Sequence, residues 1–122
     1  MKQHSHHFLD LVTAAKQQIT EITAQALQHK IAQRAPFYLI DVREEEELPA
    51  GMIPTAIALS KGVIERDIEK VIPDLNADIV VYCSGGYRSA LVALNLQQMG
   101  YQHMASLEGG LRGWVESGYS LA

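Results

Sequence analysis

The sequence predicts an α/β fold: a mainly parallel sheet of about five strands, helices on both faces, and one further helix at the N-terminus. Three observations lead there. Short apolar runs at residues 37–40, 56–59, 79–82 and 103–107 have the length of buried strands. Segments with helical spacing of apolar residues lie between them, so strand and helix alternate along nearly the whole chain. Glycines and prolines fall at the junctions, where they end elements.

In chain order, Phe8, Leu11, Val12 and Ala15 recur at helical spacing and predict an amphipathic helix over residues 5–18. It can cover a sheet edge or pair with a second subunit, and packing is the simpler use. Residues 19–22 form a short strand. Thr23 caps a helix carrying Leu27 and Ile31, which Pro36 ends. The buried strand 37–40 runs into four consecutive acids, Glu44, Glu45, Glu46 and Glu47. A solvated first helical turn, favoured by the helix dipole, explains these acids better than metal binding. Strand 56–59 precedes a helix over 63–72 that stops at Pro73. Strand 79–82 is central and ends at Cys83. A helix over 90–99 comes next, with Gly100 at its C′ position. Strand 103–107 and a helix over 111–116, with Gly118 behind it, complete the chain. The 122 residues form one domain, divided into a helical extension, 1–18, and a core, 19–122.

The chemistry concentrates in Cys83, Ser84, Gly85, Gly86, Tyr87, Arg88 and Ser89. A strand that feeds a glycine loop and then a helix directs backbone N–H groups at one point, a ready anion cradle. Here that point is the sulfur of the chain's one cysteine. Amide donors that bond only the charged thiol favour thiolate, the nucleophilic form. No proline interrupts Ser84 to Ser89, so all six N–H groups are available, and Gly85 and Gly86 can take the positive φ that a tight wrap needs. Arg88 adds a permanent charge at the rim, with a fork suited to a sulfonate, sulfate-like or carboxylate group. A lone cysteine at a strand end is commonly a small buried hydrophobe. The paired glycines, the arginine and the helix beyond them favour a nucleophile instead.

At these residues the chain resembles the rhodanese-like domain family of single-domain sulfurtransferases. Leu39, Ile40, Asp41, Val42, Arg43 and Glu44 resemble its strand-ending Asp-Val-Arg-Glu motif. Gly51, Met52, Ile53, Pro54, Thr55 and Ala56 stand where the family carries Gly-His-Ile-Pro-Gly-Ala. Leu107 through Trp114 resembles its closing Gly-Gly…Trp segment. The resemblance implies a rhodanese-like fold over 19–122 and a sulfurtransferase in which Cys83 takes sulfane sulfur from thiosulfate or a persulfide donor. A thiophile, cyanide or a thiol, then removes it. Four residues separate Cys83 from Arg88, the length associated with sulfur transfer. The five found in phosphatase-like relatives make a wider cradle, so a cysteine phosphatase or arsenate reductase is the weaker alternative. A non-catalytic persulfide-binding or regulatory module is the other. Met52 and Thr55 depart from the family pattern in a segment read as structural.

Net charge −4 argues against a nucleic-acid partner, which would want a basic face, and no apolar run is long enough to span a membrane. A cytoplasmic location is expected. One cysteine rules out an internal disulfide or a Cys-x-x-Cys redox pair, so the sulfur cargo must go to an outside acceptor. Beyond cyanide or a small thiol, a thioredoxin-like or sulfur-carrier protein suits that role. No metal or cofactor is expected, since fixed dipoles handle the charge. Asp41 is expected to tie loops together at its strand end and Arg43 to pair with a nearby glutamate. Lys61 and Arg66 are candidates for the mouth of the site, and Trp114 for core or rim packing.

Overall fold

The structure, a computed structural model, describes residues 4–122; the first three residues of the expected 1–18 extension lie outside it. The elements in order are α1 (His6–Lys16), β1 (Thr20–Ile22), α2 (Ala24–Ala32), β2 (Tyr38–Asp41), a 3-10 segment (Glu45–Ala50), β3 (Ile57–Ala58), α3 (Ile64–Val71), β4 (Asp78–Tyr82), α4 (Tyr87–Gln98), β5 (His103–Leu107) and α5 (Gly110–Glu116). The strands form one five-stranded sheet in the order β1-β5-β4-β2-β3. Every neighbouring pair is parallel.

Alternation along the strands splits the core into two layers. From β4, Ile79 and Val81 join Ile64, Ile68, Val92 and Leu96 of α3 and α4 on one face. Val80 and Tyr82 point the other way, to Leu27 of α2 and Trp114 of α5. Side chains on a strand alternate between faces, so apolar residues at consecutive positions require cover on both sides. Each such fully buried side chain contributes about 1.5–3 kcal/mol. Trp114 is core, as expected, and its indole N–H donates to Ser120 O at 3.0 Å.

Helix α1 buries Val12 and Ala15 and packs on α4 rather than on a sheet edge. Its stripe finds a helix because α4 offers a second face, outside its contact with the sheet. Helix α4 starts at Tyr87, three residues before the expected start, with Gly86 as N-cap in the left-handed region at φ 93°. Tyr87, Arg88 and Ser89 therefore form the first turn of a helix, not part of a loop.

Thr55 explains the family's glycine at its position. Its φ is 75°, a conformation that costs a β-branched residue roughly 1–2 kcal/mol. The turn needs it, because Ala56 N–H folds back to Ile53 O at 3.1 Å. Glycine would relieve the strain while losing more backbone entropy on folding. Thr55→Gly is therefore expected to stabilise the fold by about 0.5–1 kcal/mol. A urea titration checks this, and a lower midpoint would show that Thr55 sits there without strain.

Candidate active site

Cys83 comes directly after β4 and lies at the carboxyl end of the sheet, where ligands bind in open parallel folds. Gly86 N–H donates to its Sγ at 3.2 Å and Ser89 N–H at 3.4 Å. The Ser89 hydroxyl stands 3.5 Å from the sulfur and 2.8 Å from Ser106 Oγ. Ser89 and Ser106 are both fully buried, so this short hydroxyl chain supports the sulfur from behind.

The expectation that all six amides from Ser84 to Ser89 close on the sulfur is corrected to two. Positions three apart at a helix start share a face, so the N-cap Gly86 and Ser89 reach Sγ together. Ser84, Gly85, Tyr87 and Arg88 give the sulfur no amide bond; they line the open cleft above it.

The loop is braced from behind by the start of α5. Leu111 N–H donates to Cys83 O at 2.9 Å and Arg112 N–H to Ser84 O at 3.0 Å. Such close backbone contact requires glycine. A β-carbon on Gly110 would stand 2.6 Å from both of those carbonyl oxygens, and its φ is +58°. Gly86 faces the same junction, with Gly109 N at 3.1 Å from its missing β-carbon.

Arg88 is not the free rim cation that its residue type suggests. Its Nη1 and Nη2 donate to Glu47 Oε2 and Oε1 at 2.8 and 2.9 Å, a two-pronged ion pair. The hydrogen bonds from Arg88 hold the Glu47 carboxyl down at about 2, so the pair is fully charged at neutral pH. Glu47 in turn raises the Arg88 guanidinium above its usual range. Of the four acids, Glu47 thus has a specific partner and is no mere solvated turn residue. It also braces its own segment, accepting from Glu44 N–H at 2.8 Å.

That segment is anchored by Arg43, whose carboxylate partner is Asp41 and not a glutamate. Arg43 Nε and Nη2 donate to Asp41 at 2.8 to 3.1 Å. Its remaining donors reach Glu47 O at 3.2 Å and Gly51 O at 2.7 Å. Asp41 and Arg43 are 0% and 4% exposed, so pair and carbonyls are tied together out of water. Asp41 thus does tie chain segments together at its strand end. Beside it, burial and the Asp41 carboxylate push the Tyr82 phenol well up, and its oxygen accepts from Ile53 N–H at 3.1 Å.

The cleft above Cys83 has a volume of about 1170 Å³, more than a small inorganic anion needs and just above the usual range for small-molecule sites. Its far wall comes from the N-terminal segment, which no sequence signal places there. His4 packs edge-on to Tyr87 at 4.8 Å between ring centroids, and Phe8 approaches the same ring at 6.4 Å. Arg112 and Glu46 also line the opening. Lys61 and Arg66 do not; Arg66 pairs with Asp67 on α3. Among the described residues no helix is long and apolar enough to cross a membrane.

Comparison with known proteins agrees with this geometry. YtwF of Bacillus subtilis (strain 168) is 38% identical over 97 residues, which are 80% of this chain and 91% of that protein. A protein of Allochromatium vinosum is 32% identical over 82% of this chain and 92% of its own length. Both are named sulfurtransferases, the first provisionally. The crystal structure of a rhodanese-like domain protein from Staphylococcus aureus superposes with a TM-score of 0.74 at 30% identity, covering 85% of this chain and 99% of that one. A Rhodopseudomonas palustris protein of unknown function, described as a candidate tyrosine phosphatase, superposes at 0.88 and 25% identity over 100% of this chain and 99% of that one. Residues 23–117 match the Rhodanese-like domain family, and the chain belongs to that family.

Proposed function

We propose that this chain is a sulfurtransferase that carries sulfane sulfur as a persulfide on Cys83. The observation that carries the reading is the pair of N–H donors, Gly86 and Ser89, aimed at the sulfur of buried Cys83, which lies against the open cleft. The Cys83 thiolate attacks the outer sulfur of thiosulfate. The S–S bond breaks, sulfite leaves with the electron pair, and a persulfide anion remains on Cys83. Cyanide or a thiolate then takes the outer sulfur and returns the thiolate. Donors fixed before the reaction stabilise each anion without reorganisation. The same site accepts a persulfide donor, with a thiol as leaving group.

A protein acceptor also suits the cleft, which is roomy and open. YrkF of Bacillus subtilis (strain 168), provisionally named a sulfur carrier protein, is 27% identical over 97 residues, with this chain spanning about half of it (51%). That supports a sulfur-carrier protein as recipient.

Intact mass after thiosulfate treatment tests the proposal. The expected result is a gain of one sulfur atom, lost again with cyanide and absent in Cys83→Ser. An unchanged mass with thiosulfate and with a small-molecule persulfide would sink the enzyme. A binding module then remains, for which Cys83→Ser still complements in the cell. The description of the Rhodopseudomonas palustris neighbour makes aryl-phosphate turnover the control for a phosphatase. The Glu47 ion pair argues against it, since phosphoryl chemistry would need the Arg88 fork for its own anion.

A further inference from the structure

With Arg88 occupied, the cleft is lined by a second arginine, one that the loop motif does not contain. Arg112 lies on α5, in the turn that braces the loop. Its Nη2 is 3.9 Å from the position a β-carbon on Gly85 would take, so the guanidinium hangs over the loop itself. It lines the cleft beside Cys83 and Ser84. Among the described residues its side chain makes no hydrogen bond and no ion pair, although Glu44, Glu46 and Glu47 line the same cleft.

We propose that Arg112 receives the anionic end of the sulfur donor, and that Glu47 withholds Arg88 from that task. The inference rests on the sulfur-transfer reading and narrows the donor class to one with an oxyanion leaving group, thiosulfate or an organic thiosulfonate. When the Cys83 thiolate takes the sulfane sulfur, the breaking S–S bond leaves its electron pair on the departing sulfite or sulfinate. The donor's oxygens carry negative charge before that step and keep it afterwards, so the charge to be held in the bound donor lies at the mouth, not at the floor. A planar fork with free N–H groups at that place is suited to those oxygens. The two hydrogen bonds from α5 to the loop fix the base of the Arg112 side chain relative to Cys83. Glu44 and Glu46 line the same cleft and repel an anion there, which Arg112 offsets.

The test uses two reagents of nearly equal size that differ by one charge, iodoacetate and iodoacetamide, on the chain's single cysteine. Their rate ratio reads the field at the sulfur whether or not the protein transfers sulfur. Arg112→Gln is expected to lower the iodoacetate-to-iodoacetamide ratio about fivefold, Arg112→Lys to restore most of it, and added salt to shrink the difference. Glu47→Gln should raise the ratio and lessen the effect of Arg112→Gln, because Arg88 is then free. For thiosulfate loading of Cys83, Arg112→Gln should raise KM about five- to tenfold and leave kcat within about twofold. An unchanged ratio overturns the role of Arg112. Equal slowing with both reagents does so too, because it marks a merely structural residue. If the wild type loads from a small persulfide but not from thiosulfate, the donor class is wrong and the sulfurtransferase stands. If it loads from neither, both fall.

Discussion

Asp41→Ala is expected to cost about 3–5 kcal/mol, because it leaves a guanidinium buried without its counter-charge. Arg43 is only 4% exposed and gives its N–H groups to the Asp41 carboxylate and two backbone carbonyls. Domains of this size have about 5–15 kcal/mol in total, so the variant will be close to unfolding at physiological temperature. Asp41 raises the Arg43 guanidinium above its usual range in the native protein, and even without it arginine is too basic to escape by losing its proton. Removing both charges, as Asp41→Leu with Arg43→Leu, should cost less than the single change, with a remainder for the two carbonyls Glu47 O and Gly51 O that lose their donor. Urea denaturation of these variants decides it. A single-variant loss below about 1 kcal/mol would mean that water reaches this pair.

Gly110→Ala is expected to be nearly as damaging and to strike the site directly. The added methyl would overlap the Cys83 and Ser84 carbonyl oxygens at 2.6 Å, on a backbone with φ +58°. Neither atom is the end of a flexible side chain, so α5 must back away and surrender its hydrogen bonds to the loop. A left-handed alanine costs about 1–2 kcal/mol and the displaced contacts a similar amount, giving a loss of about 2–4 kcal/mol. Sulfur loading of Cys83 should fall with it. Gly113→Ala is the matched control. Its nearest neighbour, Glu108 O, would be 3.6 Å away, and its place inside a helix favours alanine. Thermal melts and thiosulfate loading of both variants separate the cases. Equal behaviour would show that the close approach at Gly110 carries no weight.

Much of the fold is legible in the sequence because its signals are local. The apolar runs locate β4 and β5, and β5 matches its expected span, residues 103–107. Thr23 caps α2 as its residue type suggests, accepting from Ala26 N–H at 3.1 Å. The start of α4 is not legible, because its N-cap is a glycine at positive φ and not the usual Ser, Thr, Asp or Asn. The stripe on α1 shows that a partner is needed but not that α4 supplies it.

At the site, Cys83 and its glycines announce themselves, whereas the partners that set the charge balance are distant in sequence. Glu47 meets Arg88 across 41 positions, and nothing in a run of four acids marks one of them for pairing. Arg43 shows the reverse: the nearest acid along the strand, Asp41, wins over the more numerous glutamates because only it is buried on the same face as Tyr82, its register partner. Arg112 has one usable signal. The Gly109-Gly110 doublet before a helix implies that the helix start lies hard against other backbone, and the first residues of that helix come near the same backbone.

The brace behind the sulfur also dictates an order of events during biosynthesis. The first strand pairs with the last, Thr20 opposite Ala105, and the carbonyls of Cys83 and Ser84 wait for donors some 28 residues downstream. While the chain is still emerging from the ribosome, the carbonyls of Cys83 and Ser84 have no donors from α5. Sequence-distant closure of this kind is slow relative to helix formation. A nascent chain that lacks residues 111 and 112 should therefore hold the Cys83 loop without its backbone brace, and only α5 completes that support.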